Sequence, residues 1–286
     1  MERNFLLTIE YDGSRFYGWQ RQPDVRTAQG ELETVLTHVM GKPVQINGTS
    51  RTDAGVHALG QKASFCGEFG IPTDRIQTAV NNLLAGKGGG FGKLGRVGDM
   101  RITKVEEKPA EFHARFDSLG TRYRYIIGNG PDVDIFRRNY AYQITEPLNV
   151  AAMQNAAQYI VGTHDFACFQ AAGSNERETT VRTIYSLTVK RQGCDVILEV
   201  TGDGFLYNMV RIITGTLTEV GLGKRKPEEL AAVIKSCDRR NAGHTAPAEG
   251  LYLVEVFYAE EQVQAAREEG RVCADRREGY EETNLG

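Results

Sequence analysis

Several kinds of feature are missing from this 286-residue chain, and each absence narrows what it can be. Long apolar runs come first: none approaches the ~20 residues needed to span a bilayer, and the opening MERNFLLTIEYDG carries charges where a secretory signal needs an apolar stretch. Both facts predict a cytoplasmic protein with no membrane partner. Cysteine is scarce and unpaired in pattern. The five (Cys66, Cys168, Cys194, Cys237, Cys273) are scattered, odd in number and without CxxC or Cys/His spacing, which excludes a disulfide framework and a zinc site. An excess of basic charge is also lacking, since 34 Lys+Arg stand against 37 Asp+Glu for a net charge of −3. Nothing in the total therefore marks a polyanion binder. The distribution says more. From Glu260 onward eight acids face four arginines, and without that stretch the rest carries 30 basic and 29 acidic residues. A near-neutral body can still present a basic face.

What is present is ordinary globular material, 41% apolar and 25% charged, with a periodicity that can be read. Alternating β-branched and aromatic residues predict strands over 4–11, 44–51, 60–69 and 101–108, with helices over 28–40 and 74–84 between them. Thr27 and Gly41 are the expected caps of the first helix. The order is βαββαβ. It recurs downstream, with strands over 121–129, 183–191, 195–203 and 250–258, helices over 148–161 and 206–220, and an additional helix over 227–237. That order is the ferredoxin-like split βαβ unit. The expected fold class is α+β: two such subdomains, 1–110 and 111–259, joined into one extended sheet with helices on one face and a central cleft, followed by an acidic tail over 260–286 outside the fold.

The stretch 85–99, AGKGGGFGKLGRVGD, holds seven glycines and reads as a flexible surface loop. It fails as a P-loop, having Lys87 and Leu94 where Gly and Ser or Thr are required. Its Gly90, Gly92 and Gly95 fit GxGxxG, but a strand pattern follows where that fingerprint must open a helix.

Four segments hold residues suited to chemistry. TSRTDAGVHALGQ, at 49–61, joins two predicted strands and displays Arg51, Asp53 and His57 at a sheet edge. On composition alone Asp53 reads more simply as a turn former bonding its own backbone, and His57 as a packed structural histidine. YDGSRFYGWQRQP, at 11–23, mixes aromatics with Arg15 and Arg21, as a surface for unpaired RNA does. Its other reading is a turn around a buried tryptophan. RYRYIIGN, at 122–129, puts Tyr123 and Tyr125 on one face of a strand. NMVRIITG, at 208–215, sets Arg211 among apolar neighbours, where a guanidinium needs a carboxylate partner.

Taken together with FHARFDS, HDFACFQAAGS and EGLYLVEV, these motifs occur in the order and at roughly the spacing of the TruA family of transfer-RNA pseudouridine synthases, which the chain resembles from about Phe5 to Tyr258. The resemblance implies the two-lobed fold, an isomerase converting uridine to pseudouridine at positions 38, 39 and 40 of the anticodon stem-loop, no metal or cofactor, a transfer-RNA partner and a homodimer. By position, Asp53 matches the family's reactive carboxylate, Tyr123 its active-site tyrosine and Arg211 the arginine that pairs with the carboxylate. Arg51 matches the arginine that holds the nucleotide out of its stack, and His57, Arg21 and Arg15 are expected at the substrate. Ser50 departs from the usual glycine, and the 85–99 stretch looks like an insertion. Two rivals stand beside this reading. A non-catalytic RRM-like RNA-binding module shares the βαββαβ order but needs an RNP1-like run that is absent. An Asp53-based N-glycosidase would release free base.

Overall fold

The consecutive apolar residues Phe5, Leu6 and Leu7, followed by Ile9, make β1, Arg3–Tyr11, a strand buried on both faces: all four are almost fully enclosed. The computed structural model describes residues 2–86, 98–173 and 179–269. Positions 87–97, the bulk of the glycine-rich stretch, lie outside the described residues. No helix among the described residues is long and apolar enough to cross a membrane.

Contacts divide the chain into two units, the first holding Met1–Ser118 together with Tyr252–Val256. After β1 comes α1, Ala28–Met40, bounded as the sequence predicts: the Thr27 hydroxyl accepts from the Gly30 amide at 3.3 Å and Gly41 closes the last turn at φ 68°. The strand expected over 44–51 shrinks to β2, Asn47–Gly48, because Val44 and Ile46 are instead tied to α1. The Ile46 amide donates to Glu33 Oε1 at 3.0 Å and the Val44 amide to Thr37 Oγ1 at 3.0 Å. β3, His57–Gly67, runs antiparallel to β1, with Phe5 opposite Phe65 and Leu7 opposite Ala63. Next come α2, Thr73–Gly86, which buries Ile76, Val80 and Leu84 at every fourth position, and β4, Met100–Lys108, antiparallel to β1 on its other side. A segment from near the other end of the chain, Tyr252–Leu253, lies parallel to His57–Ala58 on β3.

The second unit holds Leu119–Leu251 and the described residues from Phe257 on. Its centre is β5, Gly120–Asn129, flanked by β6, Tyr142–Ile144, which runs parallel to it. α3, Val150–Ala157, starts where the Asn149 side chain accepts from the Ala152 amide at 3.0 Å. Then follow β7, Gly162–Asp165, β8, Val181–Gln192, and β9, Asp195–Gly202. β9 pairs antiparallel with β5 and with β8, and β8 with β7. α4, Met209–Gly221, is buried almost along its whole length, with Thr214, Thr216 and Thr218 hydroxyls donating to the carbonyls four residues back at 2.8–2.9 Å. α5, Glu229–Ser236, precedes β10, Leu251–Phe257.

The segment expected to be a tail begins as a helix, α6, over 260–269. Val263 and Ala266, 4% and 0% exposed, pack with Phe257 against Leu119 and Tyr185. Arg122 reaches Glu269 at 2.9 Å, and the Arg267 guanidinium lies 5.0 Å from the Tyr185 ring centre. Charge dominates this stretch in sequence, but the three-to-four spacing of its small apolar stripe is helical.

Candidate active site

The loop carrying Asp53 is shaped by backbone bonds. The Val56 amide donates to the Asp53 carbonyl at 3.2 Å, closing a four-residue turn whose third member, Gly55, has φ 82°. A type II turn requires a positive φ there, which explains Gly in the Asp-Ala-Gly run. Asp53 is half-buried and Arg51 exposed.

Underneath lies the YDGSRFYGWQ segment. The Trp19 amide donates to the Thr52 carbonyl at 3.0 Å, the Gly55 amide to the Phe16 carbonyl at 3.3 Å, and Tyr11 and Thr52 share a hydroxyl–hydroxyl bond of 2.7 Å. Two glycines allow this closeness. A Cβ on Gly13 would come within 2.0 Å of the Val56 carbonyl oxygen, and one on Gly18, where φ is 85°, within 2.7 Å of the Thr52 carbonyl oxygen. The effect is a cradle that fixes the backbone on both sides of Asp53.

That cradle corrects the expectation of an aromatic surface for RNA over 11–23. Trp19, Tyr11 and Phe16 are 1%, 5% and 3% exposed and pack on one another, with Tyr11 stacked 6.0 Å from Trp19 and edge-on 6.0 Å from Phe16. Only Tyr17 of the four aromatics there faces solvent.

The expected substrate contacts of the first unit separate. His57 is the first residue of β3, 2% exposed, and its ring stacks on Tyr252 at 4.7 Å. Its Nδ1 accepts from the Gly13 amide at 3.0 Å, which puts the imidazole proton on Nε2. In this position the ring braces the Gly13 backbone of the cradle. Arg21 is also committed: it meets the carboxylate of Glu33, itself buried, at 2.9 Å, supplying the charge that such an acid demands. Arg15 stays largely exposed, 3.6 Å from Asp99. Arg51 has no ion-pair partner among the described residues.

In the second unit Tyr123 lies on β5 opposite Val200, 7% exposed, its ring edge-to-face with Phe205 at 5.2 Å. Tyr125, two residues on, is fully buried, and its hydroxyl donates to the Pro247 carbonyl at 2.7 Å. Burial pushes that hydroxyl far above the usual tyrosine range, so it holds its proton. Of the two tyrosines on this face, Tyr125 is structural.

Arg211 stands in the first turn of α4 and is fixed by local acceptors. Its Nε donates to the Ala246 carbonyl at 2.8 Å and one terminal nitrogen to Asn208 Oδ1 at 3.0 Å, while the Ala246 amide returns a bond to the Arg211 carbonyl at 3.1 Å. Asn208 sits at φ 58° just before the helix. Residues 243–246 cross α4 so closely that a Cβ on Gly215 would meet the His244 carbonyl oxygen at 1.9 Å. Asn208, Thr52 and this strap escaped the sequence reading. A glycine in the middle of an otherwise apolar helix was the visible signal for the strap. No cluster of three or more His, Cys, Asp or Glu among the described residues could hold a metal ion.

Comparison with known proteins agrees with this arrangement of motifs. The family model described as "tRNA pseudouridine synthase" matches residues 7–117 and 156–259. Named relatives called tRNA pseudouridine synthase A share 45% identity over 90% of this chain in Acetivibrio thermocellus, 46% over 90% in Ruminiclostridium cellulolyticum and 48% over 90% in Brevibacillus brevis, in each case over 100% of the relative. With a family match over most of its length and relatives this similar from end to end, the chain belongs to the tRNA pseudouridine synthase family.

Proposed function

We propose that the chain isomerises uridine to pseudouridine at positions 38, 39 and 40 of the transfer-RNA anticodon stem-loop, with the Asp53 carboxylate as the reactive group on a nucleotide turned out of its stack. The observation that carries this is the cradle: an exposed-edge turn whose backbone is held from both sides, leaving an aspartate on a rigid support. The reaction breaks the N1–C1′ bond, rotates the base and forms a C5–C1′ bond, while the C5 proton leaves and N1 regains one. A carboxylate serves such a sequence by stabilising positive charge on the sugar, by taking a proton from it, or by bonding to it.

Tyr123 is assigned the contact with the base and the handling of its proton, its ring already oriented by Phe205. Arg211, with its Nε and one terminal nitrogen occupied by Ala246 and Asn208, is assigned the counter-charge to Asp53. Arg51 is exposed and without an ion-pair partner among the described residues, which suits it to support the vacated position in the RNA. A homodimer gripping the transfer-RNA body, acting in the cytoplasm, completes the proposal.

Mapping pseudouridines in transfer RNA incubated with the wild-type chain and with Asp53→Asn tests it. Asparagine preserves the shape and the turn but removes the charge, so product should fall by several orders of magnitude while RNA binding persists. Turnover near the wild-type level would overturn the assignment. Binding without product from the wild-type chain would favour the RRM-like module, and free uracil would indicate glycoside hydrolysis. Light scattering reads the dimer.

A further inference from the structure

Between β4 and β5 the run Phe112–Asp117 forms a turn that the cradle and the catalytic assignments leave unused. Its Phe116 is 76% exposed, among the most solvent-facing large apolar side chains described. A flexible loop could leave a ring outside by default, but this one is held out. His113 Nδ1 accepts from the amides of Arg115 at 3.1 Å and Phe116 at 3.3 Å, the His113 carbonyl accepts from the amides of Phe116 and Asp117 at 3.1 Å each, and the His113 amide donates to Asp117 Oδ2 at 2.9 Å. The amides of His113, Arg115, Phe116 and Asp117 are thus all satisfied within the turn. The His113 ring lies 4.3 Å from that of Phe116 at an interplanar angle of 32°, and the Arg115 guanidinium sits 5.9 Å from the Phe116 ring centre.

The turn is also anchored. The Ala114 carbonyl accepts from the Thr49 hydroxyl at 3.0 Å and the Ala114 amide donates to Ser64 Oγ at 3.0 Å. Thr49 is two residues before Arg51. A largely exposed aromatic ring, backed by a second ring and accompanied by Arg115, which has no ion-pair partner among the described residues, has the makeup of a base-stacking platform.

From this we infer that Phe116, braced by His113, stacks an unpaired nucleobase of the RNA substrate, with Arg115 meeting the flanking phosphate. The inference rests on the proposed transfer-RNA activity and adds to it a binding residue outside the reacting group. A protein partner fits less well, because the apolar surface is a single ring between Arg115 and Asp117, both exposed, where protein docking needs a broad apolar patch.

The experiment compares the wild-type chain with Phe116→Ala, Phe116→Leu and Phe116→Trp on an unmodified transfer-RNA transcript, reading the Kd by fluorescence anisotropy, pseudouridine formation in the same samples, and oligomeric state by light scattering. Stacking by one base predicts that the Ala and Leu variants bind between about 5- and 100-fold more weakly while Trp stays within about threefold of wild type. The platform is overturned if Phe116→Ala binds like wild type, if Leu restores affinity as well as Trp does, or if the variants change only the oligomeric state. Product from a chain whose Phe116→Ala variant binds normally would sink the platform alone. Binding loss in a chain that makes no product would sink the isomerase reading and keep the platform.

Discussion

At the scale of single residues, the arrangement around Asp53 depends more on what has been left out than on what has been added. Gly18 has φ 85° and no room for a Cβ against the Thr52 carbonyl oxygen, which would lie 2.7 Å away. Gly18→Ala should therefore cost at least about 1–2 kcal/mol from the left-handed backbone alone. The steric clash would fall on the turn that carries Asp53. The expected outcome is a melting temperature lower by several degrees and a kcat reduced more than RNA affinity, measured by calorimetry and by pseudouridine formation; an unchanged kcat would mean that the cradle does not set the position of the carboxylate. Single-residue roles were unevenly legible in the sequence. Arg51, Asp53, Tyr123 and Arg211 could be marked as candidates from their motifs alone. The burial of His57 could not, because its ring is covered by Tyr252, a residue from near the opposite end of the chain. The pairing of Arg21 was hidden for a related reason: its partner Glu33 is an acid that sequence alone would place on a solvated helix face.

Elements were most legible where a pattern was long and capped. α1 spans the predicted residues because Thr27 and Gly41 carry its boundaries locally. β6 and β7, at three and four residues, are too short for any alternation to show. α6 was hidden for another reason, since its charges outnumber its core contacts. Those contacts nevertheless matter to the second unit. Stopping the chain after Ala259 would expose Phe257, Leu119 and Tyr185 and remove the Val263 and Ala266 packing, at a cost of about 2–4 kcal/mol. Denaturant unfolding should show a lower midpoint for the truncated chain, and Val263→Asp should reproduce most of the loss. A truncated chain as stable as the full one would return this segment to the status of a tail.

On the scale of the whole molecule, a net charge of −3 has to be reconciled with a polyanionic partner. Affinity must come from locally gathered cations, and each phosphate contact releases counterions. Transfer-RNA binding should accordingly weaken by about 10-fold or more between 50 and 200 mM salt, a dependence that a titration at several salt concentrations measures. Salt-independent binding would mean that stacking and shape carry nearly all the affinity. The chain's connectivity has a further consequence, which concerns its synthesis. The first unit takes its last piece of sheet, Tyr252–Val256, from the far end of the polypeptide, where Tyr252 and Leu253 pair with His57 and Ala58. A nascent chain emerging from the ribosome can assemble β1, β3 and β4 early, yet it keeps one side of the His57 end of β3 unsatisfied until nearly the whole protein has been made. An open strand edge is a site for mispairing with other chains. The early-made half thus waits on the late-made end, and translation that stops short would release a protein whose Asp53 loop borders an uncovered strand.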